Sequence, residues 1–275
     1  MAKNTDVRPV ALSLHYLTVP MRTPLKFGPE ICAGVTFARV RLTVADRQGR
    51  RAHGWGETPL GVQWCWPSRL AYAPRLELMQ RLCERLAPQW LALSEWGHPV
   101  ELGHGFLETV LPGMVEQLNG EVNIGEPLPW LTGLICAAAF DLALHDAYGV
   151  LHGQPVYATY NAAFMNRDLA AFLEPAADAA VGFSGMYPQD FLVATPPARL
   201  PVWHLVGGVD PLVEADLTGK EPVDGYPVLL ADWIRRDGLT CLKIKLCGVD
   251  QAWDYQRIVD VGHHANLDDE PLSGI

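Results

Sequence analysis

The feature that most constrains this sequence is a long apolar segment at residues 129–157, PWLTGLICAAAFDLALHDAYGVLHGQPVY. Its interior is rich in alanine and leucine, and Pro129 suits the first turn of a helix. Gly153, followed two positions later by Pro155, is a standard helix stop. The pattern predicts one long helix, and a helix this apolar must be buried on most of its sides. The rest of the chain must therefore supply the elements that cover it.

Polar side chains interrupt this predicted helix at three places. Asp141 and Asp146 lie about 140° apart around the helix axis, so they cannot form one carboxylate pair. His145 falls one turn after Asp141, where a hydrogen bond can hold it. We interpret all three residues as structural rather than catalytic.

The part of the chain before this helix changes its periodicity near residue 68. Residues 10–44 alternate apolar and polar side chains, and a turn at 46–49 leads to a third short strand near 52–57. The segments that follow carry apolar residues at helical spacing over 69–93 and 106–119, with Gly-His breaks near 97–105. We predict a three-stranded meander followed by helices, which form an α+β domain at residues 1–125.

The part after the helix has a different organisation. Residues 173–201 contain proline, glycine and alanine without a clean period, which predicts a long loop. Strand patterns then alternate with helix patterns, with Gly238 ending the first helix and Asp250 opening the second. The strand patterns occupy residues 202–208 and 240–248, and the helix patterns occupy residues 228–238 and 250–262. This βαβα order predicts a parallel sheet covered by helices.

Composition argues against several classes of function. The formal net charge is −10 and no run of five basic residues occurs, which argues against a nucleic-acid partner. The longest apolar run, at residues 133–140, is shorter than the roughly 18 residues that a membrane helix needs. The N-terminal residues lack a signal-peptide pattern, and we expect no membrane partner. Six cysteines without a C-x-x-C pair fit reduced thiols in a cytoplasmic protein.

Two lysines, Lys243 and Lys245, stand one residue apart inside the second strand pattern. Alternate side chains of a strand share a face, so both lysines point toward the interior of whatever the sheet encloses. The opposite face carries the apolar residues Leu242, Ile244 and Leu246. At a Cα separation of about 6.6 Å and an effective dielectric of about 20, two ammonium groups repel by on the order of 2.5 kcal/mol, which favours loss of one proton. Taken alone, however, the pair fits better to an edge strand whose lysines are solvated and deter aggregation.

The order of three motifs favours a functional lysine pair instead, because in this order the chain resembles the enolase superfamily. The branch concerned is that of mandelate racemase, muconate lactonizing enzyme and dipeptide epimerases. The motifs are GWGETPL at 54–60, AAAFDLALHDAYGVLHGQPVY at 137–157 and LKIKLCGVDQAWDYQRI at 242–258. The resemblance runs from about residue 12 to about residue 261 and is interrupted by the loop at 173–201. It identifies the chain as the N-terminal portion of such an enzyme.

The resemblance implies a fold in which an N-terminal capping domain closes over a modified TIM barrel. The capping domain is the α+β domain at 1–125. Residues 126–275 would hold the linking helix, the long loop and the first two strand–helix units of the barrel. A complete barrel takes about 250 residues. Only about 75 residues follow the loop, so we expect the barrel to be incomplete.

The resemblance also implies a chemistry and a site. Lys245 would abstract the proton α to the carboxylate of a small substrate, and Lys243 would support it electrostatically. Two loops of the capping domain, at 21–28 and 57–68, would shape substrate specificity, unless they are ordinary turns. The candidate substrate-binding residues in these loops are Arg22, Thr23, Leu25, Phe27, Leu60 and Trp64. The reaction would be that of a racemase, epimerase, dehydratase or cycloisomerase.

The metal of the family is expected to be missing from this chain. The resemblance implies Mg²⁺ in the complete enzyme, held by carboxylates at the ends of the third, fourth and fifth barrel strands, where it stabilises an enediolate. Asp268, Asp269 and Glu270 near the end of the chain follow no apolar strand. We interpret them, with His263 and His264, as a frayed chain end. We therefore expect this chain to bind no Mg²⁺ and to be inactive as given.

Two classes of function stay open at this point. One is an enzyme of the enolase superfamily, an isomerase or lyase, of which this chain is the N-terminal fragment. The other is a non-catalytic binding or assembly module that keeps the capping domain. The coding sequence beyond residue 275 would separate them. A homo-oligomer is compatible with either class, because the strand at 240–246 would lack its next partner.

Overall fold

The computed structural model describes residues 3–27 and 30–265, which divide into two compact units. Among these residues, the first unit contains 3–18 and 36–195, and the second contains 19–27, 30–35 and 196–265. The division at residue 125 between a capping domain and a barrel portion stays a prediction.

The predicted meander is present as a three-stranded sheet. Its strands are β1 (Val7–Phe27), β2 (Glu30–Asp46) and β3 (Arg51–Pro59), in the order β1-β2-β3. β2 and β3 are antiparallel, with Phe37 opposite Pro59 and Ala45 opposite Arg51. The carboxylate of Asp46 accepts hydrogen bonds from the backbone amides of Gln48 and Arg50, which closes the turn between these two strands.

Helices cover this sheet in the first unit. They are α1 (Val62–Cys65), α2 (Tyr72–Leu91), α3 (Pro99–Thr109), α4 (Leu111–Glu121) and α5 (Trp130–His152). The predicted long helix is α5, which ends at Gly153 with a φ of +65°. It packs on β3 and against α2, α3 and α4. By length and composition α5 could also cross a membrane, but half of its most apolar 18-residue stretch is buried inside this core.

One prediction about these helices was wrong. The Gly-His segment at 97–105 was expected to break the chain, yet α3 begins at Pro99 and runs through it. Gly103 leaves room for the carboxylate of Asp141, because a Cβ atom on Gly103 would lie 2.2 Å from its Oδ1. The chain instead divides at Val110, the residue between α3 and α4, and Pro112 lies in the first turn of α4.

The polar residues of α5 have structural contacts. The carboxylate of Asp146 accepts a hydrogen bond from the backbone amide of Trp55 on β3 at 2.8 Å. The ring nitrogen Nδ1 of His145 lies 2.8 Å from the hydroxyl of Tyr160, and Nε2 lies 3.7 Å from the carboxylate of Asp141. Burial raises the pKa of Asp141, and the neighbouring His145 opposes that shift.

The segment after α5 has little regular structure. It contains short 3₁₀ turns at Val156–Thr159, Leu169–Ala171 and Pro188–Phe191. Most of the side chains at 173–201 are exposed. The long loop predicted for these residues is therefore confirmed.

The second unit contains the predicted βαβα order. Its elements are β4 (His204–Val206), a 3₁₀ turn at Glu214–Asp216, α6 (Leu230–Asp237), β5 (Leu242–Ile244) and α7 (Gln251–Ala265). β4 and β5 are parallel, with Leu205 opposite Lys243. A small apolar core of Val206, Leu212, Leu230 and Val261 lies between sheet and helices. The described residues thus hold the start of a parallel α/β arrangement.

The strands of this unit are shorter than predicted. β5 ends at Ile244, and Leu246, expected to pack toward the helices, is 41% exposed. The carboxylate of Asp254 accepts hydrogen bonds from the backbone amides of Cys247 and Gly248. These bonds turn the chain toward α7 before Leu246 can reach the core.

Candidate active site at the carboxyl edge of the parallel sheet

The two lysines lie where β5 ends. Leu242 and Ile244 pack against the apolar core of the unit, so the side chain of Lys243 lies on the other face of the strand, and Lys245 directly follows the strand. Lys243 is exposed and Lys245 is half-buried. The backbone amide of Lys245 donates to the carbonyl of Val206 at 2.9 Å, which fixes its position beside β4.

Two tight turns follow the strands at this edge. After β4, the carboxylate of Asp210 accepts a hydrogen bond from the amide of Gly207 at 2.6 Å. After β5, Asp254 holds the next turn in the same way, and Asp250 accepts from the amide of Trp253 at 3.0 Å to cap α7. Backbone amides therefore engage the carboxylates of all three aspartates.

Arg257 of α7 fixes the turn after β4. Its guanidinium donates to the carbonyl of Gly207 at 2.5 Å and to the carbonyl of Asp210 at 2.9 Å. Burial lowers the pKa of Arg257, while Asp210, Asp216 and Asp260 oppose that shift. The hydrogen bonds of Arg257 therefore hold the turn after β4 against α7.

A third lysine reaches this edge from β1. A Cβ atom on Gly208 would lie 3.6 Å from the carbonyl oxygen of Lys245, 3.7 Å from the ring of Trp253 and 3.8 Å from Cβ of Lys26. The ammonium group of Lys26 lies 5.9 Å from the centre of the Trp253 ring. Sequence reasoning missed Lys26, Trp253 and Arg257. The consecutive glycines directly after β4 were the available signal for a close approach.

Among the predicted substrate-binding residues, Arg22 is engaged within the second unit. Its guanidinium makes two hydrogen bonds to the carboxylate of Asp224, at 2.7 and 2.9 Å, and one to the carbonyl of Tyr226. It also lies 5.9 Å from the ring centres of Tyr226 and Trp233. The hydrogen bond from Arg22 lowers the pKa of Asp224 to about 2.

Arg22 and Thr23 together line two cavities of the second unit. One has a volume of about 220 Å³ and lies beside His204 and Trp233. The other has a volume of about 450 Å³ and lies beside Ile31. These two predicted residues therefore border space that a small molecule could enter.

The other predicted substrate-binding residues are spread over both units. Leu25 is half-buried in β1, and Phe27 ends β1 with its side chain outside the described residues. Leu60 is fully buried in the core of the first unit, and packing alone accounts for a leucine there. Trp64, in α1, is 55% exposed. Their part in substrate binding stays a prediction.

The donor groups of the described residues do not fit Mg²⁺. Over residues 3–27 and 30–265, no group of three His, Cys, Asp or Glu side chains is placed to hold a metal ion. Lysine ammonium groups are donors and cannot act as ligands. His263 and His264 lie in α7, whereas the acidic residues 268–270 lie outside the described residues.

Comparisons with known proteins connect this architecture to a fold. No protein-family model matches the sequence, and no curated protein matches it. The N-succinyl Arg/Lys racemase from Bacillus cereus ATCC 14579 is 16% identical over 95% of this chain and 50% of its own, with a TM-score of 0.51. The L-Ala-D/L-Glu epimerase from Bacillus subtilis is 16% identical over 94% of this chain and 51% of its own, with a TM-score of 0.47.

A third similar structure is a mandelate racemase/muconate lactonizing protein from Herpetosiphon aurantiacus. It is 14% identical over 94% of this chain and 50% of its own, with a TM-score of 0.44. This chain thus spans about half the length of the structures it matches. The fold predicted from the sequence motifs is confirmed, because this chain shares its fold with about half of the N-succinyl Arg/Lys racemase structure.

Proposed function

We propose that this chain is the N-terminal part of an enolase-superfamily enzyme that removes the proton α to a carboxylate. The observation that supports this most is the position of the lysine pair at the carboxyl end of the second parallel strand, with Lys243 on the face away from the helices and Lys245 directly after the strand. Parallel α/β folds build their reactive sites at this end of the strands.

The two lysines have different roles in this proposal. Lys245 is the general base, and its backbone is held in place by the bond to Val206. Lys243 places a second positive charge beside the substrate carboxylate, where negative charge develops as the proton leaves. The bracing by Arg257 supports a site of this kind, because a proton-transfer group must be held in a defined position.

The proposed substrate is a small carboxylate, and the proposed reaction is racemisation, epimerisation, dehydration or cycloisomerisation. The similar structures support this range, since one is named a racemase of N-succinyl Arg/Lys and another an epimerase of L-Ala-D/L-Glu. Arg22 and Thr23 are the best supported specificity residues, because both line cavities. Leu25, Phe27, Leu60 and Trp64 complete the proposed set.

Magnesium belongs to the proposal only for the complete enzyme. Bound Mg²⁺ would supply the counter-charge for an enediolate. Since the described residues do not fit the ion, its ligands would have to come from elsewhere in the complete protein. We also propose a cytoplasmic location, supported by six cysteines that are all free thiols.

The test is exchange of the α-proton in deuterated buffer, followed by NMR. The full-length protein that the gene encodes is supplied with Mg²⁺ and with N-succinyl-arginine, L-Ala-L-Glu or mandelate. We expect exchange with at least one of these acids, and we expect Lys245→Met to abolish it in one stereochemical sense, because a thioether accepts no proton. The matched control is Arg199→Met, at an exposed arginine of the same unit, which should exchange as the wild type does. Equal exchange by wild type and Lys245→Met would contradict the proposal.

The second candidate function is a non-catalytic binding or assembly module. The observation in its favour is that the described residues lack a fitting set of metal ligands. The same experiment decides between the two. Binding of the acids without any α-proton exchange by the full-length protein would support the module.

A further inference from the structure

The outer face of the three-stranded sheet carries positive charge, although the chain as a whole is acidic. The even-numbered residues of β2 from 38 to 44 are buried in the core of the first unit, so Arg39 and Arg41 point to the opposite face. The residues of β3 that lie opposite these odd-numbered positions share that outer face and are exposed. They are Arg51, His53, Trp55 and Glu57.

The arginines of this region outnumber the carboxylates. Residues 39–57 contain five arginines and two carboxylates, and Asp146 of α5, at the edge of β3, adds a third carboxylate. The local net charge is therefore +2, against −10 for the whole chain. Each carboxylate of the segment 39–57 is paired with one arginine of the same segment. In the described part of the chain, Arg41 and Arg51 form no ion pair.

An apolar anchor point lies beside these arginines. Trp55 is directly opposite Arg41 and is 49% exposed. A cavity of about 420 Å³ is lined by Arg39, Trp55, Gly56 and Glu57. Leu142 of α5, also 49% exposed, lies against Gly56. Tryptophan and arginine are the residue types that contribute most often to the binding energy of protein interfaces.

We propose that this sheet face binds an acidic segment of a partner protein. An apolar side chain of that segment lies beside Trp55, and its carboxylates lie opposite Arg41 and Arg51. The row of outward residues from Glu57 to Arg51 is about 20 Å long, because each residue of a strand rises about 3.3 Å. A partner segment of about seven extended residues therefore covers the row.

Charge favours a short acidic segment over other occupants. A second copy docked face to face about a two-fold axis would place arginines against arginines. A nucleic acid or an anionic membrane carries many negative charges, which the net negative charge of the rest of the chain repels. The charges of a short segment stay within the Debye length, about 10 Å at 0.1 M salt, of the arginines that attract them.

The experiment measures binding of the fluorescein-labelled peptide EDEWDED to the 275-residue chain by fluorescence anisotropy at low ionic strength. We expect the neutral analogue QNQWNQN to bind about tenfold more weakly, because it lacks the carboxylates. The analogue EDESDED should also bind about tenfold more weakly, as expected for the loss of one anchor side chain.

Variants assign the contact to this face. Arg41→Gln and Arg51→Gln should each lower the affinity for EDEWDED about two- to fivefold, as expected for one exposed ion pair, and the double variant should lower it about tenfold. The control Arg69→Gln removes the same charge at an exposed arginine outside the sheet and should leave the affinity unchanged.

A further variant tests the anchor. Trp55→Ala should lower the affinity for EDEWDED about tenfold but change that for EDESDED little, a coupling that a merely structural role would not produce. Thermal unfolding of each variant shows whether the fold is intact. Trp55→Phe, which keeps an aromatic ring, should retain most of the preference for EDEWDED and tests the anchor even if Trp55→Ala is unstable.

Several outcomes would overturn the proposal. Equal affinity of the wild type for EDEWDED and QNQWNQN would do so, and so would an affinity that the double arginine variant leaves unchanged. Tighter binding of single-stranded oligothymidine would indicate a nucleic-acid surface instead, and tighter binding of phosphatidylserine vesicles would indicate a membrane surface. Dissociation of a dimer by the double variant would indicate a contact between copies. None of these outcomes depends on the lysine pair, so the proposed function stands or fails separately.

Discussion

At the scale of the residue, His98 is a buried histidine whose two ring nitrogens are both engaged. The amide of Val100 donates to Nδ1 at 3.3 Å, which caps the start of α3. Nε2 therefore carries the proton of the neutral ring and donates to the hydroxyl of Thr159 at 3.1 Å. Titratable groups that face or influence His98 are Lys3, His145, Tyr148, His152 and Tyr160. A proton added to Nδ1 would remove the cap of α3.

We expect His98 to make the fold sensitive to acid. Burial, with the positive charges of His145, His152 and Lys3, lowers the pKa of His98 to about 3. The unfolded chain binds this proton below its ordinary pKa of about 6.5, so the folded state loses stability as the pH falls from 6.5 toward 3. One such group costs on the order of 1 kcal/mol per pH unit in that range. Urea unfolding at pH 7, 6, 5 and 4 measures the loss.

A variant isolates the contribution of His98. His98→Asn keeps a helix-capping side chain without a titrating ring, so its stability should fall less steeply with pH. The control is His15→Asn, at an exposed histidine, whose stability should fall with pH as steeply as that of the wild type. A shallower slope in His98→Asn alone would therefore come from the ring of His98. If His98→Asn and wild type lose stability in parallel, another group is responsible.

Single residues also show where sequence reasoning ends. Helix geometry alone excluded a carboxylate pair of Asp141 and Asp146, because angles within one helix follow from spacing. The partner of Asp146 is the backbone of Trp55, which is far away in the sequence. Lys26 was missed for the same reason. Its approach to Trp253 depends on tertiary packing that no local pattern records.

At the scale of the element, β3 and α5 are fitted together by small residues. Gly54 and Gly56 of β3 face α5, and a Cβ atom on Gly54 would lie 2.1 Å from the backbone nitrogen of Ala147. On Gly56 it would lie 2.0 Å from the carbonyl oxygen of Ala139. Ala139, Ala143 and Ala147, each about one turn from the next on α5, and the alternate glycines on β3 thus bring two backbones into contact. The GWG motif has a packing function.

We expect Gly54→Ala to destabilise the first unit by about 3 kcal/mol, since overpacking of a tight contact costs on the order of 1–3 kcal/mol and the clash is with backbone. The matched control is Gly113→Ala in α4, where a Cβ atom meets nothing within 4 Å. That change should stabilise α4 by about 0.5–1 kcal/mol through helix propensity. Urea midpoints measure both. A Gly54→Ala variant as stable as the wild type would show that β3 and α5 separate easily.

Periodicity predicted most elements, and its failures have physical causes. The strand-to-helix switch and the caps of α5 and α6 depend on nearby residues, so they could be read from the sequence. The break expected near 97–105 was wrong because Gly103 lies inside α3, where the absence of a Cβ atom leaves room for the carboxylate of Asp141. The early end of β5 was missed because the carboxylate that turns the chain, Asp254, belongs to the following helix.

At the scale of the whole molecule, the order of motifs predicted the fold better than any one of them could. K-x-K alone fits an exposed edge strand, and a strand of that kind occurs in many folds. The place of K-x-K after an α+β unit and a long apolar helix restricted the folds that the sequence could adopt. The candidate site could be predicted only in part, because the residues around Lys245 come from β1, the turn after β4 and α7.

The last prediction concerns metal binding and association of the 275-residue chain. The described residues hold no fitting ligand set, so calorimetric titration with Mg²⁺ should show no tight 1:1 site. Within the described residues β5 pairs only with β4, so its other edge presents unpaired backbone groups. Exposed apolar side chains at Trp203, Leu205 and Leu246 lie on or beside these strands. We therefore expect size-exclusion chromatography to show self-association that increases with concentration.

A variant tests whether this sheet is the contact. Leu205→Lys places a charge opposite Lys243, on the face away from the core, and should shift the chain toward monomer because like charges would face each other across any contact made there. Val223→Lys, at a fully exposed residue of the segment between β4 and α6, adds the same charge elsewhere and should leave association unchanged. A monomer at all concentrations with a tight 1:1 Mg²⁺ site would contradict both halves of the prediction. It would mean that residues outside the described part bind the metal and that the edge of β5 is covered.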